Sequence, residues 1–174
     1  MNSILIANGL ILTLNAAADT FDPGYVLVEG DRIAALGVGS APPHLASRAD
    51  STWDAAGHLV LPGLVNAHTH LGQVLVRNLG SDKPLLTWLD DVIWPAQLAM
   101  TPDDARIAAT VGLVENLRSG VTTVVDHQKI TATPAHSDAI ASAAESLGLR
   151  FVLARAWAER GRGAEDCGTM LAEL

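Results

Sequence analysis

The stretch Leu59-Val-Leu-Pro-Gly-Leu-Val-Asn-Ala-His-Thr-His-Leu71 constrains the fold of this 174-residue chain more than any other. It is almost continuously apolar, which is the pattern of a strand buried on both faces within a parallel sheet. It closes on His68 and His70. Residues i and i+2 of a strand leave the same face, so the two imidazoles project together. Two neutral imidazoles side by side form half of a transition-metal site. Judged on spacing alone, they are equally an ordinary strand end that carries two histidines.

From Pro62 onward the pattern alternates strand and helix, as βαβ units and a parallel sheet require. Leu64 to His68 reads as the first strand, followed by a long excursion through Trp88 and Trp94. Thr101-Pro-Asp-Asp104 starts a helix, with threonine at the N-cap, proline at the first helical position and acids in the first turn. Ile107, Val111 and Val114 fall on one face of it, widened by Leu113 and Leu117, and Ser119-Gly120 ends it. Val121–Val125 reads as the second strand. A second helix runs from Thr133-Pro134 to about Leu147, where Gly148 stops it, and Leu149–Ala154 is the third strand. Beyond Arg160 the glycines Gly161, Gly163 and Gly168 read as loop.

Residues 1–60 read instead as short strands. Ile4–Ala7 and Leu10–Leu14 flank Asn8-Gly9, and Tyr25–Glu29 and Arg32–Leu36 flank Gly30-Asp31, both favoured hairpin dipeptides. Gly37 to Asp50 reads as a surface loop, after which Trp53 and Leu59–Val60 resume extended chain.

Nineteen acidic against eleven basic residues leave a formal charge of −8 with no basic stripe. Nucleic acid and anionic membrane surfaces are therefore not expected partners. The single cysteine, Cys167, has no internal disulfide partner, as in a reducing compartment. Ile4 to Leu14 lacks the basic lead of a signal peptide, and no apolar run reaches the roughly 20 residues that span a bilayer. A cytoplasmic location is expected.

The stretch Val60 to His70 resembles the opening barrel strand of the amidohydrolase superfamily. Ile4-Leu-Ile-Ala-Asn-Gly9, Val28-Glu-Gly-Asp-Arg-Ile-Ala34 and Asp54-Ala-Ala-Gly57 resemble its small leading β-domain, and Gly120-Val-Thr-Thr-Val-Val-Asp126 its second barrel strand. Gln73 and Trp88-Leu89 are similar to the branch that holds guanine and 8-oxoguanine deaminases, triazine hydrolases and adenosine-derivative deaminases. The resemblance implies an α/β fold: the N-terminal part of a β-sandwich over residues 1–60, then the first three strands of a TIM barrel over 61–174. A closed barrel takes roughly 250 residues, so the chain is expected to be a fragment, inactive alone. The implied activity is metal-dependent hydrolysis of non-peptide C–N bonds, notably deamination of a purine- or triazine-type amine. Alternatives are half of a split hydrolase, a cyclic-amide hydrolase, or a non-catalytic remnant.

By the same resemblance, His68 and His70 are two ligands of one Zn²⁺ or Fe²⁺ per complete active site, while the remaining ligands and the acid–base residue lie beyond this chain. Gln73, in the loop after His70, offers a donor and an acceptor suited to a heteroaromatic ring edge, or is a solvent-facing amide. Trp88 could stack on such a ring or fill a core, and Trp94 reads as core. Asp126 and His127, at the end of the second strand, face the same mouth. They read as groups supporting the ligands or touching substrate, or as a loop cap and a solvated imidazole. Arg77 reads as a solvated loop residue, and His44, His58 and His136 as structural or surface residues. The expected partners are a small heteroaromatic substrate and a second copy or complementing chain.

Overall fold

A computed structural model describes residues 3–128, 133–156, 160, 164 and 166–172. The loop expected over Gly161 and Gly163 lies outside the described residues. The chain divides into two compact units, Met1–Pro62 and Gly63–Leu174. No helix among the described residues is long and apolar enough to cross a membrane.

The first unit contains β1 (Ser3–Leu12), β2 (Thr20–Glu29), β3 (Arg32–Val38), the short helix α1 (Pro43–Ala46), β4 (Ser51–Asp54) and β5 (Leu59–Val60). The sheet order is β3-β2-β1-β4, with β5 also on β1. Gly30, at a φ of 61°, turns β2 into β3 as expected. Asn8-Gly9 does not make a hairpin. β1 continues through it, and Asn8 is the extra residue of a β-bulge, with a φ of 63° between the pairs Ala7↔Tyr25 and Gly9↔Gly24. This bulge uses a left-handed residue, as a tight hairpin turn does, so the dipeptide does not distinguish them. Long-range contacts do: Asn8 Nδ2 donates to Asp54 Oδ1 at 2.9 Å. A Cβ on Gly9 would stand 2.9 Å from Val60 Cγ2. Leu5, Tyr25 and Leu27 form this unit's core.

The second unit opens with β6 (Leu64–Thr69) and a 3₁₀ segment, Leu71–Val76. Helices α2 (Leu85–Trp88) and α3 (Trp94–Ala99) are joined by a π-helical turn, Leu89–Ile93. Pro95 has no N–H for the carbonyl four residues back, which accounts for the break in regular helix there. Then follow α4 (Pro102–Arg118), β7 (Val121–Gln128), α5 (Pro134–Ser146), β8 (Arg150–Arg155) and α6 (Cys167–Ala172). The strands form a parallel sheet in the order β6-β7-β8. Leu71, Ala105, Ala109, Leu113, Val124, Ile140 and Ala144 make one core beneath it.

Two expectations about burial are corrected. β6 is not covered on both faces: it is an edge strand, and Leu64 and Val65 are exposed. On α4, Ile107, Val111, Val114 and Leu117 remain exposed. The buried stripe is Ala105, Ala108, Ala109, Gly112 and Leu113, whose small side chains let the helix sit close against its neighbours. A Cβ on Gly112 would come within 2.8 Å of Leu71 Cδ2.

The start of α4 is as expected. Asp104 N–H donates to Thr101 Oγ1 at 3.2 Å, and Asp104 Oδ2 accepts from Thr101 N–H at 2.9 Å, a reciprocal capping box. Thr101→Ala is expected to destabilise the unit by about 1 kcal/mol, read as a lowered urea midpoint.

Candidate metal centre

β6 ends at Thr69, and His68 and His70 flank that end. Their ring centroids lie 5.0 Å apart, edge to face. The His127 ring, at the end of β7, lies 5.2 Å from that of His70 and 6.5 Å from that of His68. Strand pairing between β6 and β7 therefore brings three imidazoles together from two segments. His68 is exposed, while His70 and His127 are half-buried. Among the described residues no group of three or more His, Cys, Asp or Glu side chains forms a metal-ligand set.

The chemistry of His70 suits a metal. Its Nδ1 lies 2.7 Å from the His127 carbonyl oxygen. A carbonyl only accepts, so Nδ1 carries a proton, which leaves Nε2 as the nitrogen that can offer a lone pair to a metal. Outer-shell bonds of this kind fix the tautomer and orientation of ligating histidines.

Polar contacts hold the backbone on both sides of the pair. Before it, His68 N–H donates to Asn66 Oδ1 at 3.3 Å. Asn66 Nδ2 donates to Asn116 Oδ1 at 2.9 Å, and Asn116 Nδ2 to the Gly112 carbonyl at 2.7 Å. After it, Leu71 N–H donates to Asp126 Oδ1 at 2.8 Å. Asp126 is 1% exposed. Burial pushes its carboxyl up to about 6, against the opposing pull of the Leu71 N–H and of His70.

A cavity of about 330 Å³ adjoins His70, lined among others by Thr69, Gln73, Arg77, Trp88 and Asn116. Gln73 and Trp88 thus line the same cavity as His70, whereas His127 sits against the imidazole pair. Trp88 Nε1 donates to the Leu79 carbonyl at 3.0 Å, which fixes the indole. Arg77 is exposed and pairs with Glu115 at 2.8 Å. His44 and His58 are exposed; His136 is buried with Nε2 2.9 Å from the Met100 carbonyl oxygen. Asn66 and Asn116 were not anticipated. A polar residue inside the apolar run Leu64-Val-Asn-Ala is the one local hint, since a strand interior rarely keeps an amide without a partner.

Residues 59–172 match the amidohydrolase family. The chain is 38% identical over 155 residues to the 5-methylthioadenosine/S-adenosylhomocysteine deaminase of Symbiobacterium thermophilum, spanning 89% of this chain and 34% of that protein. It is likewise 38% identical to the 5'-deoxyadenosine deaminase of Methanothermobacter thermautotrophicus, over 87% of this chain and 32% of the relative. The chain thus spans about a third of the length of these curated relatives. Among solved structures, the atrazine chlorohydrolase of Arthrobacter aurescens TC1 complexed with zinc superposes with a TM-score of 0.84 at 27% identity, over 97% of this chain and 41% of that one. An adenosine deaminase of Xanthomonas campestris with bound zinc gives a TM-score of 0.71 at 27% identity, over 86% of this chain and 33% of that one. An α/β chain with a histidine pair at the end of a parallel strand, matched over most of its length, belongs to the amidohydrolase family.

Proposed function

We propose that this chain carries the metal-holding front of a hydrolase for non-peptide C–N bonds, one that deaminates a heteroaromatic amine of the purine or triazine type. The observation that carries this reading is the pairing of His68 and His70 at a strand end, with His70 Nδ1 committed to the His127 carbonyl. His68 and His70 would hold one Zn²⁺ or Fe²⁺, each through a neutral imidazole. A divalent ion bound there supplies Lewis acidity, enough to make water a nucleophile near neutral pH.

The remaining roles belong to the chain's own side chains. Gln73 offers the ring edge of a substrate both a donor and an acceptor. Trp88, held by its bond to Leu79, presents an aromatic face on the same cavity. His127 closes the imidazole side of the site. The names of the deaminase relatives favour an adenosine-like substrate, and the chlorohydrolase shows that a related scaffold also serves a triazine.

In architecture, the first unit reads as part of a β-sandwich and the second as the first three strands of a TIM barrel. The parallel order β6-β7-β8 with α4 and α5 between strands supports the barrel reading. The exposed edge strand β6 supports completion by further strands, from a longer chain, a complementing chain or a second copy.

Zinc titration of the 174-residue chain against a chromophoric chelator tests the metal assignment. His68→Ala and His70→Ala are each expected to weaken binding at least about tenfold, no less than loss of an outer-shell partner does. The double variant should bind no more than background. Equal zinc uptake by the folded double variant and the parent would overturn the assignment.

A further inference from the structure

We propose that Asp126 is a positioning residue that sets the His70 imidazole by gripping the backbone at Leu71. This rests on reading His68 and His70 as metal ligands. The ladder between β6 and β7 shifts register after Asn66 and resumes only at its last pair, Thr69↔Asp126, so His70 and Leu71 lie just past the strand pairing. Two bonds from the end of β7 do so instead. Asp126 Oδ1 accepts the Leu71 N–H at 2.8 Å, and the His127 carbonyl accepts the His70 Nδ1–H at 2.7 Å. Their anchors are consecutive residues of a strand whose own ladder with β8 runs unbroken from Thr123 to Gln128. The ring and the backbone just past it are thereby referenced to one rigid element.

Burial argues that this grip is the reason for the residue. Asp126 is 1% exposed, and its second oxygen, Oδ2, makes no hydrogen bond among the described residues. A carboxylate in such a place is unfavourable, and an apolar side chain of similar volume would serve packing as well or better. What an apolar side chain lacks is an acceptor for Leu71. Without it, the amide next to His70 loses its tether to β7, and the imidazole can rotate away from the His127 carbonyl.

Zinc titration of the parent, Asp126→Ala and Asp126→Asn, together with long-range proton–nitrogen NMR of the imidazoles in the zinc-free protein, tests this. Asp126→Ala is expected to weaken zinc binding about 10- to 100-fold and to give His70 a mixture of tautomers. Asp126→Asn keeps an acceptor oxygen and should recover most of the affinity and a single Nδ1-protonated His70. A folded Asp126→Ala that matches the parent in affinity and tautomer would overturn the clamp. So would an Asp126→Asn that loses as much as Asp126→Ala, since charge rather than the acceptor would then matter. If Asp126→Ala does not fold, Asp126→Asn decides: parent-like affinity with a protected Leu71 amide upholds the clamp, and loss of either overturns it. A parent that binds no zinc would sink the metal assignment, while the tautomer and amide protection still report on Asp126.

Discussion

Leu113→Ala is expected to destabilise the second unit by about 2–5 kcal/mol, the usual range for removing a fully buried leucine side chain. Leu113 has no exposed surface and packs in one cluster with Leu71, Ala109, Val124, Ile140 and Ala144. Two of these neighbours, Ala109 and Ala144, are helical alanines with no long side chain that could swing into the space left behind. The cavity should therefore persist and the upper part of the range apply. Leu71 shares the cluster, so the loss falls next to His70. Val111→Ala, at a position 40% exposed, should cost less than about 1 kcal/mol. Urea unfolding followed by tryptophan fluorescence separates the two. Similar values for both variants would mean that α4 buries its large apolar face after all.

The contrast between these two positions shows what sequence pattern conveys and what it omits. Period and caps placed α4 within a residue or so, because Thr101, Pro102 and Asp104 act on their own turn. Which face the helix buries is not a local matter. Large aliphatics mark one stripe, yet the small stripe from Ala105 to Leu113 is the one that fits against Leu71 and the sheet. Asn8-Gly9 teaches the same lesson, since a bulge and a hairpin ask the same of the backbone and only the pairing with Tyr25 and Gly24 tells them apart. The imidazole pair was legible because i,i+2 spacing on a strand is local. The contacts that hold it were not: Asp126 and Leu71 are 55 residues apart, and Asn66 and Asn116 are 50 apart. The place of Asp126 at a strand end is legible in the sequence, but its partner, a backbone amide, leaves no mark there.

Burial of that carboxyl carries a pH signature. Its folded value of about 6 stands above the ordinary 3.8 because desolvation outweighs the Leu71 bond and the pull of His70. Below about pH 3.9 the group is protonated in both folded and unfolded chains and contributes nothing. Between there and pH 6 the folded chain holds more protons than the unfolded one, so stability falls as pH rises. Above pH 6 both states are ionised, and the penalty levels off at about 3 kcal/mol. Asp126→Asn does not titrate but retains an acceptor for Leu71. In metal-free buffer, the stability of this variant relative to the parent is expected to climb by about 3 kcal/mol between pH 3.5 and 7, leaving the asparagine protein the more stable at neutrality. Measuring the difference between the two proteins cancels the titration of the chain's other carboxylates. A difference that stays flat across that window would show that the buried carboxyl ionises at its ordinary pH, and that water reaches it.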